Sequence, residues 1–237
     1  MTATPTPSRP TGGFARMRAV LALDGAVAQL VLAVFQCFVV SVSFAGCLVP
    51  AVAFSLLVGW QPTHLSLWLG ALSLLPVVPA VYALLRSSRR LLAERGDAGT
   101  GAGREFWRSF VRGARTLAWA AIAMSALVLL LGYDLALFGG SDAMLLFVAA
   151  AAAIVLALVI AVCAVAAACD GGSPVELLTA AAKATARRPH VALSWLLMLG
   201  LGVALAALPV IGAPFALFLP ALLGVGIHIC NDALRFS

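Results

Sequence analysis

Charged residues fall in a few clusters along the chain, and the stretches between them are long and apolar. Residues 25–85 contain no Asp, Glu, Lys or Arg over 61 positions, and further charge-free runs cover residues 116–133, 143–169 and 189–231. A helix that crosses a bilayer takes about 20 apolar residues. The first and last runs hold two such helices each and the middle two hold one each. This predicts six spans, at about residues 26–57, 65–85, 116–131, 143–167, 191–208 and 215–230. Pro50 is expected to kink the first span. Pro76 and Pro79 fall inside the second, which is expected to continue as a helix into the basic residues 86–95. Residues 59–63 read as a turn, residues 96–103 (GDAGTGAG) as a flexible linker, and residues 1–18, rich in Thr, Pro and Ser, as a disordered tail. The predicted fold class is therefore all-α, a polytopic transmembrane helix bundle occupying residues 19–237 as one domain.

Composition points the same way. The chain is 63% hydrophobic and 10% charged, whereas a water-soluble domain carries about 25% charged residues. Disorder needs the opposite balance, low hydrophobicity with high charge. Both classes are excluded for the bulk of the chain. Six spans put both termini on one side, and with that side in the cytoplasm all fifteen basic residues fall on cytoplasmic segments. The outer loops then keep Asp134 and Asp142 and no basic residue, as the positive-inside rule requires. This predicts an N-in, C-in topology. The net charge of +6 is accounted for by that topology and gives no reason to expect a nucleic-acid partner. Arg supplies fourteen of the fifteen basic residues, a bias that suits a GC-rich bacterial genome and hence the bacterial cytoplasmic membrane. Arg16 and Arg18 precede an apolar stretch longer than the roughly 7–15 residues of a signal-peptide core, so an uncleaved first span is expected.

Chemistry has few candidates. Residues 104–115 form a basic amphipathic helix. At 100° per residue Arg104, Arg108, Arg112 and Arg115 share one face, with Phe106, Trp107, Phe110 and Ala114 opposite. Such a helix lies along an anionic leaflet or docks a partner; the plainer reading is a collar that positions the third span. Ser173-Pro174-Val175-Glu176 reads as a capping box opening a second cytoplasmic helix. Val175, Leu178 and Ala182 share a face of that helix, which is expected to pack against the first. Within the spans, Gln29, Gln36 and Ser43 recur every seven residues. With His228 they form a polar stripe that either hydrogen-bonds between helices or lines a path for a solute. Gly200 and Ala204 make a small-xxx-small pair that permits close packing and a homodimer. No nucleotide-binding loop, nucleophile elbow, metal-ligand cluster or paired intramembrane carboxylate occurs in the sequence, so no enzyme activity and no cofactor or metal are expected. The five cysteines read as small buried hydrophobes.

Two segments carry a family likeness. Pro79, Ala80, Ala83 and Leu84 match a Pro-Ala-x-x-Ala-Leu segment. Phe106, Trp107, Arg108 and Phe110 match a Phe-Trp-Arg-x-Phe block ahead of the next span. Together with residues 177–190, these resemble the YesL-like family of bacterial integral membrane proteins. The family's early turn carries a Thr that Leu48-Val-Pro50-Ala-Val lacks. The resemblance implies a place near carbohydrate utilisation, with ABC transporter components as partners, and transfers no catalytic residue. The function expected on these grounds is a non-enzymatic accessory or scaffold protein in a membrane with anionic lipids. The alternative is a small permease or channel for a neutral or hydrophobic solute.

Overall fold

The computed structural model describes residues 26–59, 61, 63–93, 101–138, 141–169, 172–209 and 212–233. The tail at residues 1–18, Trp60, the first part of the linker, the Gly139-Gly140 turn and Arg235 lie outside them. Among the described residues the chain is 91% helical with no strand. The helices are α1 (Ala26–Leu57), α2 (His64–Ser73), α3 (Val77–Ala93), α4 (Ala102–Thr116), α5 (Ala118–Phe138), α6 (Asp142–Cys169), α7 (Pro174–Arg187), α8 (Pro189–Ala206) and α9 (Gly212–Ala233). Six segments are long and apolar enough to cross a membrane: α1, α2 and α3 together, α5, α6, α8 and α9. The protein is an all-α, polytopic, multi-pass membrane bundle.

α3 is the axis of the bundle. α1, α4, α5, α6 and α9 all pack against it. Its residues serve two apolar clusters on different flanks. Val78, Tyr82 and Leu85 join Leu117, Met124, Ile160, Cys163 and Trp195. Ala80, Ala83 and Leu84 join Val40, Cys47, Phe106 and Ala221. Small residues set the approach distances. A Cβ on Gly113 of α4 would lie 2.7 Å from Cδ1 of Tyr82, and one on Gly224 of α9 would collide with the Ser88 side chain. Lipid tails are as apolar as leucine, so close van der Waals packing has to supply much of the association energy.

The second span differs from its expected continuous form. Residues 74–76 are a turn that separates α2 from α3. Pro76 lacks an N–H and its ring opposes the preceding turn, so the helix cannot continue across it. Leu75 N–H donates to Leu72 and Val77 N–H to Leu74 instead. The carbonyl of Ala71 receives the buried Ser125 hydroxyl from α5. A hydroxyl also bonds the backbone beside a second proline, here as the acceptor. Pro220 lies inside α9, and the next amide, Ala221 N–H, donates to the buried Ser41 hydroxyl of α1 at 3.1 Å. Membrane helices tolerate proline where side chains of neighbouring helices bond the backbone around it.

α3 continues past residue 85 to Ala93 as the basic helical extension expected from the sequence. Two further expectations are corrected. The glycine-rich linker is shorter than its composition suggests, since Ala102 and Gly103 already belong to α4. α7 carries the expected capping box, with Ser173 and Glu176 each bonded to the other's backbone, but its packing partners are α6 and α8 rather than α4. It buries Leu177 and Ala181, and leaves Val175, Leu178 and Ala182 exposed.

The outer surface is apolar. Leu30, Val31 and Phe35 of α1, Ile122 and Leu130 of α5, Leu146 and Ile154 of α6, and Leu197 and Leu201 of α8 all point outward. A surface of this kind suits hydrocarbon as the surrounding medium. Gly59, which links α1 to the turn before α2, has a φ of 71°, a left-handed conformation that favours glycine. Its carbonyl accepts the Ser66 hydroxyl at 2.6 Å, tying the turn to the first helical turn of α2.

Candidate functional site

Six crossings alternate in direction, so the α3–α4 connection and α7 fall at one end of the bundle and the α5–α6 connection falls at the other. The second end holds Asp134 and Asp142. There His64 and Tyr133 share a 2.8 Å hydrogen bond. The first end gathers the arginines of α3, α4 and α7.

α4 has three sides. Phe106, Ser109 and Gly113 are buried against the bundle, and Phe106 is fully enclosed. Arg104, Arg108, Arg112 and Arg115 are exposed on the far side. Between these faces, Trp107 and Val111 are each about half-exposed. The structure thereby rotates the expected apolar face. Its centre is Phe106–Ser109–Gly113, with Phe110 half-buried at its edge, while Trp107 and Ala114 are exposed. The cause is the close approach to α3, which selects the small side chains of Ser109 and Gly113 over the larger Trp107. Trp107 stacks edge-on with both Phe106 and Phe110, at centroid distances of 5.9 and 5.5 Å.

A cavity of about 290 Å³ opens where α1, α3 and the start of α4 meet. Gln36 and Val40 come from α1, Ser87, Arg90 and Leu91 from α3, and Gly101, Ala102, Arg104, Glu105 and Arg108 from α4 and its cap. Arg90 pairs with Glu105 at 3.0 Å, both groups being partly open to solvent. Ser87 is 4% exposed, and its hydroxyl has no hydrogen-bond partner among the described residues. Gly101, the N-cap of α4, supplies no side-chain hydrogen bond to the first turn.

This cavity joins residues that the sequence kept apart. Gln36 of the intramembrane stripe meets Arg104 and Arg108 of the basic helix. The other stripe residues go elsewhere. Gln29 is exposed and Ser43 half-buried. His228 lies in α9 and its Nε2–H donates to the carbonyl of Leu85 at 2.7 Å. It lines a separate cavity of about 130 Å³ with Arg89, Asn231 and Asp232, where Asn231 also accepts from the indole of the buried Trp195 at 3.1 Å. The two cavities share no residue. Arg112 and Arg115 line neither. Sequence reasoning missed Ser87, Arg90 and Glu105. Ser87 and Arg90 sit together in the Ser-Ser-Arg-Arg segment that ends the second span, a hydroxyl pair beside a basic pair, and that is the signal that could have found them. Among the described residues no three His, Cys, Asp or Glu side chains converge as a metal site would require.

No protein-family model matches this chain, and no curated protein or solved structure does either.

Proposed function

We propose that this protein is a non-enzymatic accessory or scaffold protein of the bacterial cytoplasmic membrane, N-in and C-in, which presents its basic end to a partner. The observation that carries this reading is the form of α4. One face is fixed into the bundle by Phe106, Ser109 and Gly113, and the opposite face offers four exposed arginines. A rigidly held helix keeps its charged side chains in register for a partner or an anionic leaflet. The exposed apolar residues of α7, Val175 and Leu178, extend the same end of the molecule.

The resemblance to the YesL-like family belongs to this proposal, as does the partner class it suggests, a component of a carbohydrate ABC transporter. Affinity purification of the full-length protein from native membranes in mild detergent tests it. Enrichment of a transporter subunit, lost when Arg104, Arg108, Arg112 and Arg115 are all changed to Gln, is the expected result. An unchanged set of co-purifying proteins after that substitution overturns it.

The permease alternative draws on one observation, the presence of Gln36 in the cavity between α1, α3 and α4. Flux of neutral solutes into proteoliposomes, compared between the native protein and Gln36→Leu, decides it. Flux that falls with the substitution would replace the accessory reading.

A further inference from the structure

The cavity at the start of α4 is furnished for an anion. Among the described residues, Arg90, Arg104 and Arg108 line it against one carboxylate, that of Glu105, a surplus of two positive charges. The first-turn amides of α4 have no intrahelical acceptors, because a helix begins with unpaired N–H groups. Gly101 caps none of them with a side chain. Such an end carries a partial positive charge and donors suited to phosphate oxygens. α4 is fifteen residues long, so its dipole is well developed. The independent sign of a ligand is Ser87. A buried hydroxyl without a partner is costly, and Ser87, a residue of this cavity's wall at 4% exposure, carries one with none among the described residues. Beneath the charged groups, Val40 and Leu91 form an apolar wall. The volume, about 290 Å³, lies near the lower end of the range of ~300–1,000 Å³ for small-ligand sites.

We propose that this cavity binds a phosphate group. The guanidinium groups of Arg104 and Arg108 hold its charge, the Ser87 hydroxyl rotates about χ1 to donate to one oxygen, and the α4 amides face the others. Arg90 stays shared with Glu105 and fixes the rim. A phosphate bearing this surround is either the headgroup of an anionic lipid, with its glycerol against Val40 and Leu91, or a soluble phosphate compound entering from the basic end. The site does not rest on the docking of a protein partner. Loss of co-purification leaves it standing, and an empty cavity leaves the partner reading standing.

The test uses the full-length protein in nanodiscs. One arm titrates inorganic phosphate, with chloride at equal ionic strength as the reference, into discs of phosphatidylcholine alone and follows binding by calorimetry. The other counts lipids retained in native mass spectrometry from discs that contain phosphatidylglycerol. Both arms are run on Arg104→Gln, Arg108→Gln and Ser87→Ala, and on Arg112→Gln and Arg115→Gln, which remove the same charge from the same helix outside the cavity. Charge-assisted hydrogen bonds are the strong ones, so each of the first two substitutions is expected to weaken binding about tenfold or more. Ser87→Ala should weaken it several-fold while leaving the unfolding midpoint unchanged or higher, since it removes a buried hydroxyl. Arg112→Gln and Arg115→Gln should change it less than about twofold. Binding in the first arm identifies a soluble phosphate, and retention in the second alone identifies a lipid. Equal losses for all four arginine substitutions, or no phosphate-dependent signal in either arm, overturns the proposal.

Discussion

The span formed by α2 and α3 and the span formed by α5 have nearly equal hydropathy and very different places in the bundle. Half of the first, 50% of its most apolar window, is buried among other helices, against 11% of the second. In water, hydropathy separates inside from outside. In a membrane both environments are apolar, and what separates them is how closely a helix can be approached. α3 offers Ala80, Ala83, Ser87 and Ser88, and its neighbours answer with Gly113 and Gly224. α5 turns Ile122, Leu127 and Leu130 outward. The helices of this bundle come closest where side chains are small.

The comparison is broken most severely by enlarging the small residues. Gly113→Leu would drive a side chain into the Tyr82 ring and the backbone of Pro79, and Gly224→Leu into Ser88 and Leu84. Overpacking of this kind costs about 1–3 kcal/mol and sometimes more. Each variant should unfold at a lower denaturant fraction in mixed micelles, with Trp195 fluorescence reporting the loss of its buried site. A midpoint equal to that of the native protein would show that α3 is not closely packed.

A smaller effect is expected at the proline break. Ser125→Ala removes the hydroxyl that reaches the Ala71 carbonyl at the end of α2. Interhelical hydrogen bonds in membranes contribute about 0.6 kcal/mol on average and at most about 1.7 kcal/mol. The same unfolding titration should register a loss in that range. Ser41→Ala, which withdraws the acceptor of Ala221 N–H, should behave alike. If Ser125→Ala is neutral, the break is supported by backbone rearrangement alone.

How much of this was legible in the sequence follows from the same physics. Six spans and an all-α fold were readable because charge is costly in lipid and its absence marks each crossing. The centrality of α3 was not, because lipid-facing and helix-facing positions are equally apolar. The heptad spacing of Gln29, Gln36 and Ser43 suggested one stripe. Among the described residues, the hydroxyls that are buried and bonded across helices include Ser41 and Ser125, placed by the backbone groups near Pro220 and Pro76 rather than by spacing. The arginine face of α4 was legible from periodicity. Its packing face was not, since Gly113 and Ser109 carry no apolar signal. The cavity was least legible of all, for Ser87 and Arg108 come together only when α4 packs against α3.

The ion pair at the cavity rim should matter less again. Arg90 and Glu105 are 48% and 24% exposed, and partly exposed pairs contribute about 0–1 kcal/mol. Arg90→Gln should lower the unfolding midpoint slightly at low salt. The difference should shrink by 0.5 M salt, where the Debye length falls to about 4 Å. A loss that persists undiminished at high salt would point to packing by the arginine stem instead.

The smallest expected effect is the sharpest test of the opening comparison. Leu130 of α5 is 60% exposed, so no close packing holds its side chain and it faces lipid. Leu130→Phe then exchanges one apolar contact with acyl chains for another. Surface substitutions away from special features stay within about 0.5 kcal/mol, and this one should leave the unfolding titration where it was. The same enlargement at Ala83 of α3, which is fully enclosed, has no room and should be costly. Both substitutions raise hydropathy or hold it near constant, so a scale that counts apolar residues cannot separate them. Packing against α1, α4 and α9 on one side and fluid hydrocarbon on the other can. Equal destabilisation by the two would mean that α5 is covered by another helix in the membrane, through a second copy of the chain or a partner. Crosslinking from a cysteine placed at Leu130 would then identify it.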